Sequence, residues 1–300
     1  RLPDDQRLFL EAAMGMAGRD NAAALRAYST LAIRNEKSAP LLVDLGRVHE
    51  AMGAVPKALE SYRQAGQLDA ENPAPFLRMG ILYGRAGDTS ASEAAFKRAE
   101  ELYSARGRVE GVASVSLERG VMLDRADRSD EAVVALQRAL QLATSVDSKY
   151  LRAAVLFKLS SVAGYKGRND DAEKYASEGL RLSEEFEGLN AFGRVDLGYV
   201  FVFRRQPETA EQRLRQAVDA SVRAGANRSE ARARLALAGV LMRIGSVAEA
   251  TDQAKAAFAY YDRTGFLALR AQALTLLAQA QVRVGDLIGA RTSYGALLKT

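Results

Sequence analysis

The sequence repeats itself. From Leu41 to Pro73 it reads LLVDLGRVHEAMGAVPKALESYRQAGQLDAENP, and the same skeleton returns 34 positions further on. Leu45-Gly46 becomes Met79-Gly80, Gly53 becomes Gly87, Tyr62 becomes Phe96 and Ala65 becomes Ala99. A fixed period of that size, with small residues at fixed offsets, is the mark of a helical repeat array. Within one copy, apolar residues three and four apart predict a helix over Leu41–Gly53, and Gly53 can take the left-handed backbone that stops it. Pro56 suits the first turn of a second helix, where its missing N–H goes unused. That helix is expected to run to about Leu68, with Asn72-Pro73 closing the unit. Gly46, Ala58 and Ala65 are small where the two helices must approach, and Leu45, Tyr62 and Leu68 fill the space between them.

The pattern extends along the whole chain. Leu2–Arg34 is a weaker copy, with Ala24, Tyr28 and Leu31 standing where Ala58, Tyr62 and Ala65 stand later, and Pro3, Asp4 and Asp5 suit a helix start. Beyond residue 105 the period lengthens to about 40: Ala99 is answered by Ala139, Gly179, Ala217, Ala257 and Leu297. Gly80 is answered by Gly120, Ser160, Gly198, Ala238 and Ala278. The added residues fall in polar or Gly-containing joints at 104–111, 144–151, 184–191, 223–230 and 261–268. Breaks inside the units fall at Ala126-Asp127-Arg128, Lys166-Gly167-Arg168, Arg205-Gln206-Pro207, Ile244-Gly245-Ser246 and Val284-Gly285-Asp286. The expectation is one solenoid over 1–300, with repeats at 2–36, 41–72, 75–106, 112–147, 150–186, 190–226, 229–264 and 268–300.

Composition agrees with a long helical protein: 48% of residues are hydrophobic, only 7% aromatic, and Trp is absent. With no Cys, disulfides, zinc cysteines and thiol chemistry are excluded, and the redox setting is left open, with a cytoplasmic one favoured. The formal net charge of +5 is spread among interleaved Glu and Asp, which reads as a solvated surface, so no nucleic-acid partner is expected. No apolar run approaches the roughly 18 residues a membrane span requires, Leu235–Met242 being about the longest. No signal peptide is visible. The chain opens at Arg1 rather than Met and is expected to be a piece of a longer protein.

LGRVHEAMGAVPKALESYRQA (45–65) and LSSVAGYKGRNDDAEKYASEGL (159–180) carry a Leu-Gly or Leu-Ser pair, a turn Gly, and then Ala, an aromatic and a small residue. This pattern resembles the tetratricopeptide repeat family over nearly the whole chain. The resemblance implies an all-α fold, a right-handed superhelical solenoid of about eight helix pairs. It also implies a binding module rather than an enzyme. Ser92 departs from the family's Ala, and the sixth and seventh units lack the aromatic. The longer units look like those of kinesin light chains and bacterial signal-responsive regulators. Residues 2–35 look like the segment opening the repeat region of some bacterial multidomain regulators, in which a kinase or winged-helix domain precedes the array; this piece would then be the sensing or docking half.

The family's frame puts the first helices on the concave side. Its candidate groove residues are Arg47, Arg85, Arg125, Phe157, Tyr165, Phe192, Tyr199, Phe203, Arg232 and Arg243. LGYVFVFRR in the sixth unit stands out: Tyr199 and Phe203, four apart, share a side, whereas Phe201 faces the second helix. The aromatics read either as core filling or as an apolar anchor pocket ringed by Arg85, Arg125, Arg232 and Arg243, suited to a segment with apolar side chains and some acidic charge. On the pocket reading, removing Tyr199 and Phe203 together would weaken binding and leave melting nearly intact. The Lys, Asn and Arg with which some family members grip a C-terminal carboxylate have no counterpart around Val43, Arg47, Leu77 and Arg78.

Catalytic patterns fail. His49 is the sole histidine, and Gly53 stands where a zinc-protease helix needs its second one. Pairs such as Asp130-Glu131 and Asp170-Asp171 sit at expected helix starts, as caps do. No phosphate-cradling Gly-Lys-Ser/Thr loop occurs. The expected function is therefore recognition of a protein or peptide segment, with no cofactor and no metal. The alternatives are a small-molecule sensor using the same aromatics, and an assembly scaffold whose array ends stack into homo-oligomers.

Overall fold

The computed structural model describes residues 3–18, 20–35, 38–264 and 266–298. Arg1, Leu2, Arg19, Glu36 and Lys37, Gly265 in the joint at 261–268, and Lys299 and Thr300 lie outside the described residues. Among the described residues there are sixteen α-helices and no strand. In order they are α1 Asp4–Gly18, α2 Asn21–Arg34, α3 Ala39–Ala51, α4 Val55–Leu68, α5 Pro73–Arg85, α6 Thr89–Ala105, α7 Val109–Arg125 and α8 Ser129–Ser145. There follow α9 Lys149–Tyr165, α10 Asn169–Leu182, α11 Glu187–Phe203, α12 Pro207–Arg223, α13 Asn227–Ile244, α14 Val247–Thr264, α15 Leu267–Arg283 and α16 Leu287–Leu297. These are the eight helix pairs of an all-α solenoid, as the period predicts.

Local chemistry starts and stops the helices. Asp20, Asn72, Asp88 and Asp286 cap α2, α5, α6 and α16 by accepting a backbone N–H of the first turn. Pro residues open α3, α4, α5 and α12. The turn inside a pair demands a left-handed residue: φ is +73° at Gly53 and +89° at Gly245. Where the sequence has no Gly at that place, Asp127 and Arg205 take the same conformation, with φ of 59° and 57°.

The chain divides into two compact units, residues Arg1–Leu142 and Ala143–Thr300. In the first, the core is a series of small clusters, each drawn from neighbouring pairs. One gathers Ala12, Ala24, Tyr28, Leu31 and Val48, the next Val43, Ala58, Tyr62, Met79 and Leu82, and the next Phe96, Ala99, Val115, Met122 and Ala132. The second unit is built alike, from Val195, Phe201, Leu214, Leu237 and Leu241 to Leu235, Ala257, Tyr261 and Ala273. Small-to-large contact closes each pair: a Cβ added at Gly46 would stand 2.5 Å from the Tyr62 ring, and one at Gly198 2.5 Å from Leu214. Ser92 fits without loss, since its buried hydroxyl donates to the Gly80 carbonyl at 2.8 Å. Ser160, standing where other units have Gly, donates to the Ala172 carbonyl at 2.8 Å.

Candidate functional site

In the second unit, helices α9, α11 and α13 bring aromatic rings together with two cations, Lys158 and Arg232, and one buried carboxylate, Asp196. The floor is Phe157 on α9, fully buried and pressed between glycines: a Cβ at Gly179 or Gly193 would lie 2.6 or 2.1 Å from its ring. Phe192 on α11 meets it edge-on, with centroids 6.2 Å apart. Tyr199 and Phe203, one turn apart on the same helix, stack at 6.2 Å, and Tyr165 at the end of α9 reaches Phe203 at 5.1 Å. Tyr165 is 72% exposed and forms the open lip. Phe203 is partly buried, because its ring covers Gly164, where a Cβ would come within 2.6 Å of it. It is thus a packing ring as much as a surface ring, so removing it would cost stability, contrary to the expectation that melting would stay intact. Phe201 turns the other way, into the cluster with Ala210 and Leu214 of α12, as its register predicts.

Arg232 on α13 extends over this surface. Its guanidinium carbon lies 4.9 Å from the Phe192 centroid and 5.0 Å from that of Tyr199, and Lys158 Nζ stands 4.7 Å from Phe192. Such contacts contribute roughly 0.5–2 kcal/mol each, more as water is excluded. Beneath lies Asp196, its side chain 1% exposed, with Oδ1 2.6 Å from Arg232 Nη1. Neither carboxylate oxygen has an aligned hydrogen bond, so charge rather than hydrogen-bond geometry holds the pair. Burial works against the Arg232 charge, but Asp196 and Tyr199 outweigh it and hold the guanidinium above its ordinary pKa. Burial pushes the Tyr199 phenol up, against the pull of Arg232. Close by, Tyr261 is buried with its hydroxyl unpartnered.

The first unit carries a different arrangement. Glu50 on α3, its side chain 9% exposed, receives Arg78 Nη2 at 2.5 Å and Arg85 Nη1 at 2.8 Å from α5, and the Tyr62 hydroxyl at 3.2 Å. Burial and Glu50 push the Tyr62 phenol up to about 12. Arg47 pairs with Asp44 at 3.0 Å, one turn away. Arg125, at the end of α7, has no ion-pair partner among the described residues, and burial followed by the neighbouring Arg85 lowers its pKa.

Of the sequence-derived candidates, then, Phe157, Tyr165, Phe192, Tyr199, Phe203 and Arg232 come together in the second unit. Arg243 lies exposed at the end of α13 and joins no ring or ion pair of that cluster. Arg47, Arg85 and Arg125 belong to the first unit, where Glu50 and Asp44 already engage two of the three. Sequence reasoning missed Asp196, Lys158 and the Glu50 chelation. Asp196 lies two residues before the small position of α11, outside the family's inward frame, and a lone Asp within a helix gives no signal of burial. Among the described residues no group of three or more His, Cys, Asp or Glu could hold a metal, and no helix is long and apolar enough to cross a membrane.

A family model described as tetratricopeptide repeat matches residues 16–73, 77–147 and 195–264. No curated protein sequence matches the chain. Among solved structures, the apo form of the quorum sensor NprR from B. thuringiensis is similar with a TM-score of 0.72, over 98% of this chain and 86% of that one, at 15% identity. A Rap protein complexed with Competence and Sporulation Factor gives 0.71, over 100% and 87%, at 13% identity. The APC/C hetero-tetramer Cut9-Hcn1 gives 0.63 at 17% identity, over 92% of this chain but only 46% of that one. The present chain thus spans less than half the length of that assembly's matching chain. At such identities the likeness concerns the fold.

Proposed function

The chain belongs to the tetratricopeptide repeat family, and from that premise we propose that it is a non-enzymatic module that docks a protein or peptide segment on the α9–α11–α13 surface of its second unit. The observation that carries this reading is the ring pair Tyr165–Phe203, open at its outer edge and continuous with Tyr199 and Phe192 under Arg232. Aromatic rings beside an arginine are the usual energetic anchors of interfaces. A helical or extended segment could lay apolar side chains against the lip. The similarity in fold to a Rap protein complexed with Competence and Sporulation Factor supports a ligand-binding role for such arrays.

A small-molecule sensor is the rival reading. The unpartnered buried hydroxyl of Tyr261 and the buried carboxylate of Asp196 favour it, since both would reward a small polar ligand that reached them. Titration separates the two, because a sensor would shift in melting temperature with metabolites and not with peptides.

Tyr165→Ala is the direct test, because an exposed lip residue can be removed without opening the core. Peptides selected from a random displayed library on the wild-type protein should bind this variant at least about ten-fold more weakly, at an unchanged melting temperature. Undiminished binding would place the peptide elsewhere and end the reading.

A further inference from the structure

Burying a carboxylate in a helix stack is costly unless its charge has a partner and a use. Asp196 meets one cation among the described residues, Arg232, whose Nη1 stands 2.6 Å from Oδ1, and its oxygens make no aligned hydrogen bond. The guanidinium is confined from two further directions by the rings of Phe192 and Tyr199. The Arg232 side chain nevertheless stays 26% exposed, and no second carboxylate lies within ion-pair distance of it among the described residues. A planar guanidinium fixed in this manner is suited to take a carboxylate through two parallel N–H groups.

We propose that Asp196 is a positioning residue, which holds Arg232 between Phe192 and Tyr199 so that the remaining N–H groups of the guanidinium receive one carboxylate of the docked segment. The proposal rests on the docking reading above and adds the chemistry of what is docked: an acidic side chain next to the apolar side chains that pack on Tyr165 and Phe203. A cationic ligand group is disfavoured at this place. Phe192 already has Arg232 and Lys158 against it, and Tyr199 has Arg232, so the protein's own cations hold the attraction that the rings would offer to another one.

The experiment selects a random displayed peptide library on the full chain and measures one enriched peptide in its Glu and Gln forms. Enriched peptides should carry an acidic residue at a fixed spacing from apolar ones, and the Gln form should bind about ten-fold or more weakly than the Glu form. Asp196→Asn, which retains Arg232 but loosens it, should shrink that Glu/Gln ratio several-fold. A role confined to stability would lower melting and leave the ratio alone. Because Asp196→Asn leaves a buried cation unpaired and could unfold the chain, Asp196→Leu with Arg232→Met serves as the second variant. Apolar replacement of a buried ion pair is often neutral or stabilising, so this pair should melt as the wild type does and bind both peptide forms within about two-fold of each other. Enriched peptides without an acidic residue, or a Glu/Gln ratio unmoved in both variants, would overturn the proposal and leave the docking reading standing. Failure to enrich any peptide would overturn both.

Discussion

Phe157 shows how closely single residues are set. Its ring lies so near Gly193 that an added Cβ would stand 2.1 Å from Cζ and 2.2 Å from Cε1. Gly193→Ala gains helix propensity of about 1 kcal/mol, against an overpacking cost of about 1–3 kcal/mol. Overpacking should win, for a net loss of about 1 kcal/mol in denaturant unfolding that Phe157→Leu restores. Gly239 in α13 is the matched control: nothing lies within 4 Å of its added Cβ, so Gly239→Ala should stabilise by about 0.5–1 kcal/mol. If both substitutions shifted stability alike, the close approach at Phe157 would be without energetic consequence. Arg205 offers the converse case, an ordinary side chain at φ +57° where other units place Gly. Left-handed backbone costs an L-residue about 1–2 kcal/mol, and glycine's freedom in the unfolded chain gives back about half of the gain. Arg205→Gly should therefore raise unfolding stability by about 0.5–1 kcal/mol, and a destabilised variant would mean that the arginine side chain holds the turn. The sequence marks such breaks by Gly, so the turn at Arg205 was legible only because Pro207 follows it.

At the scale of the element, helices in a pair share a seam of small and large residues, and charged bridges tie one pair to the next. Glu100 on α6 takes Arg119 Nη1 of α7 at 2.8 Å and Arg138 Nη2 of α8 at 2.5 Å. Burial raises the pKa of this carboxyl, but the hydrogen bonds from the two arginines outweigh burial and hold it below the ordinary 4.5. A carboxyl depressed on folding contributes stability that is present above its unfolded value and is lost as pH falls through its folded value. Glu100→Gln should accordingly lower unfolding free energy by about 1–2 kcal/mol near neutral pH. The gap to wild type should close only below 4.5; a gap constant across that range would show that shape, not charge, holds the three helices. None of this bridge was legible in the sequence, whereas the helices it joins were. Helix position follows from local rules of apolar spacing, caps and turn residues, but which acid meets which arginine depends on side-chain reach across 19 and 38 positions. The same distinction explains the candidate site. Tyr199, Phe203 and Arg232 could be placed by their register on first helices. Asp196, and the burial of Phe203 on Gly164, needed the packing of α9, α11 and α13.

For the molecule as a whole, the fold was readable because a repeat brick states its packing requirement eight times, and an error in one copy is corrected by the next. Function is less readable for the same reason: the recurring residues are those that pack, and the residues that would choose a partner occur once. Charge gives one property of the entire chain that can be tested against the proposed partner chemistry. The formal net charge is only +5, with both signs interleaved, so the long-range field is weak and steering of an acidic segment should be modest. Raising salt from about 50 to about 500 mM shortens the screening length from about 14 to about 4 Å, which should slow association of a Glu-bearing peptide several-fold. Dissociation should hardly change, because the proposed contact would form at a guanidinium flanked by the Phe192 and Tyr199 rings, where salt screens less than in open solvent. The Gln form of the same peptide should show a smaller salt slope in association. Equal slopes for the two forms in stopped-flow measurements would mean that the net field of the chain acts on the peptide's other charges and that the carboxylate at Arg232 takes no part in the encounter.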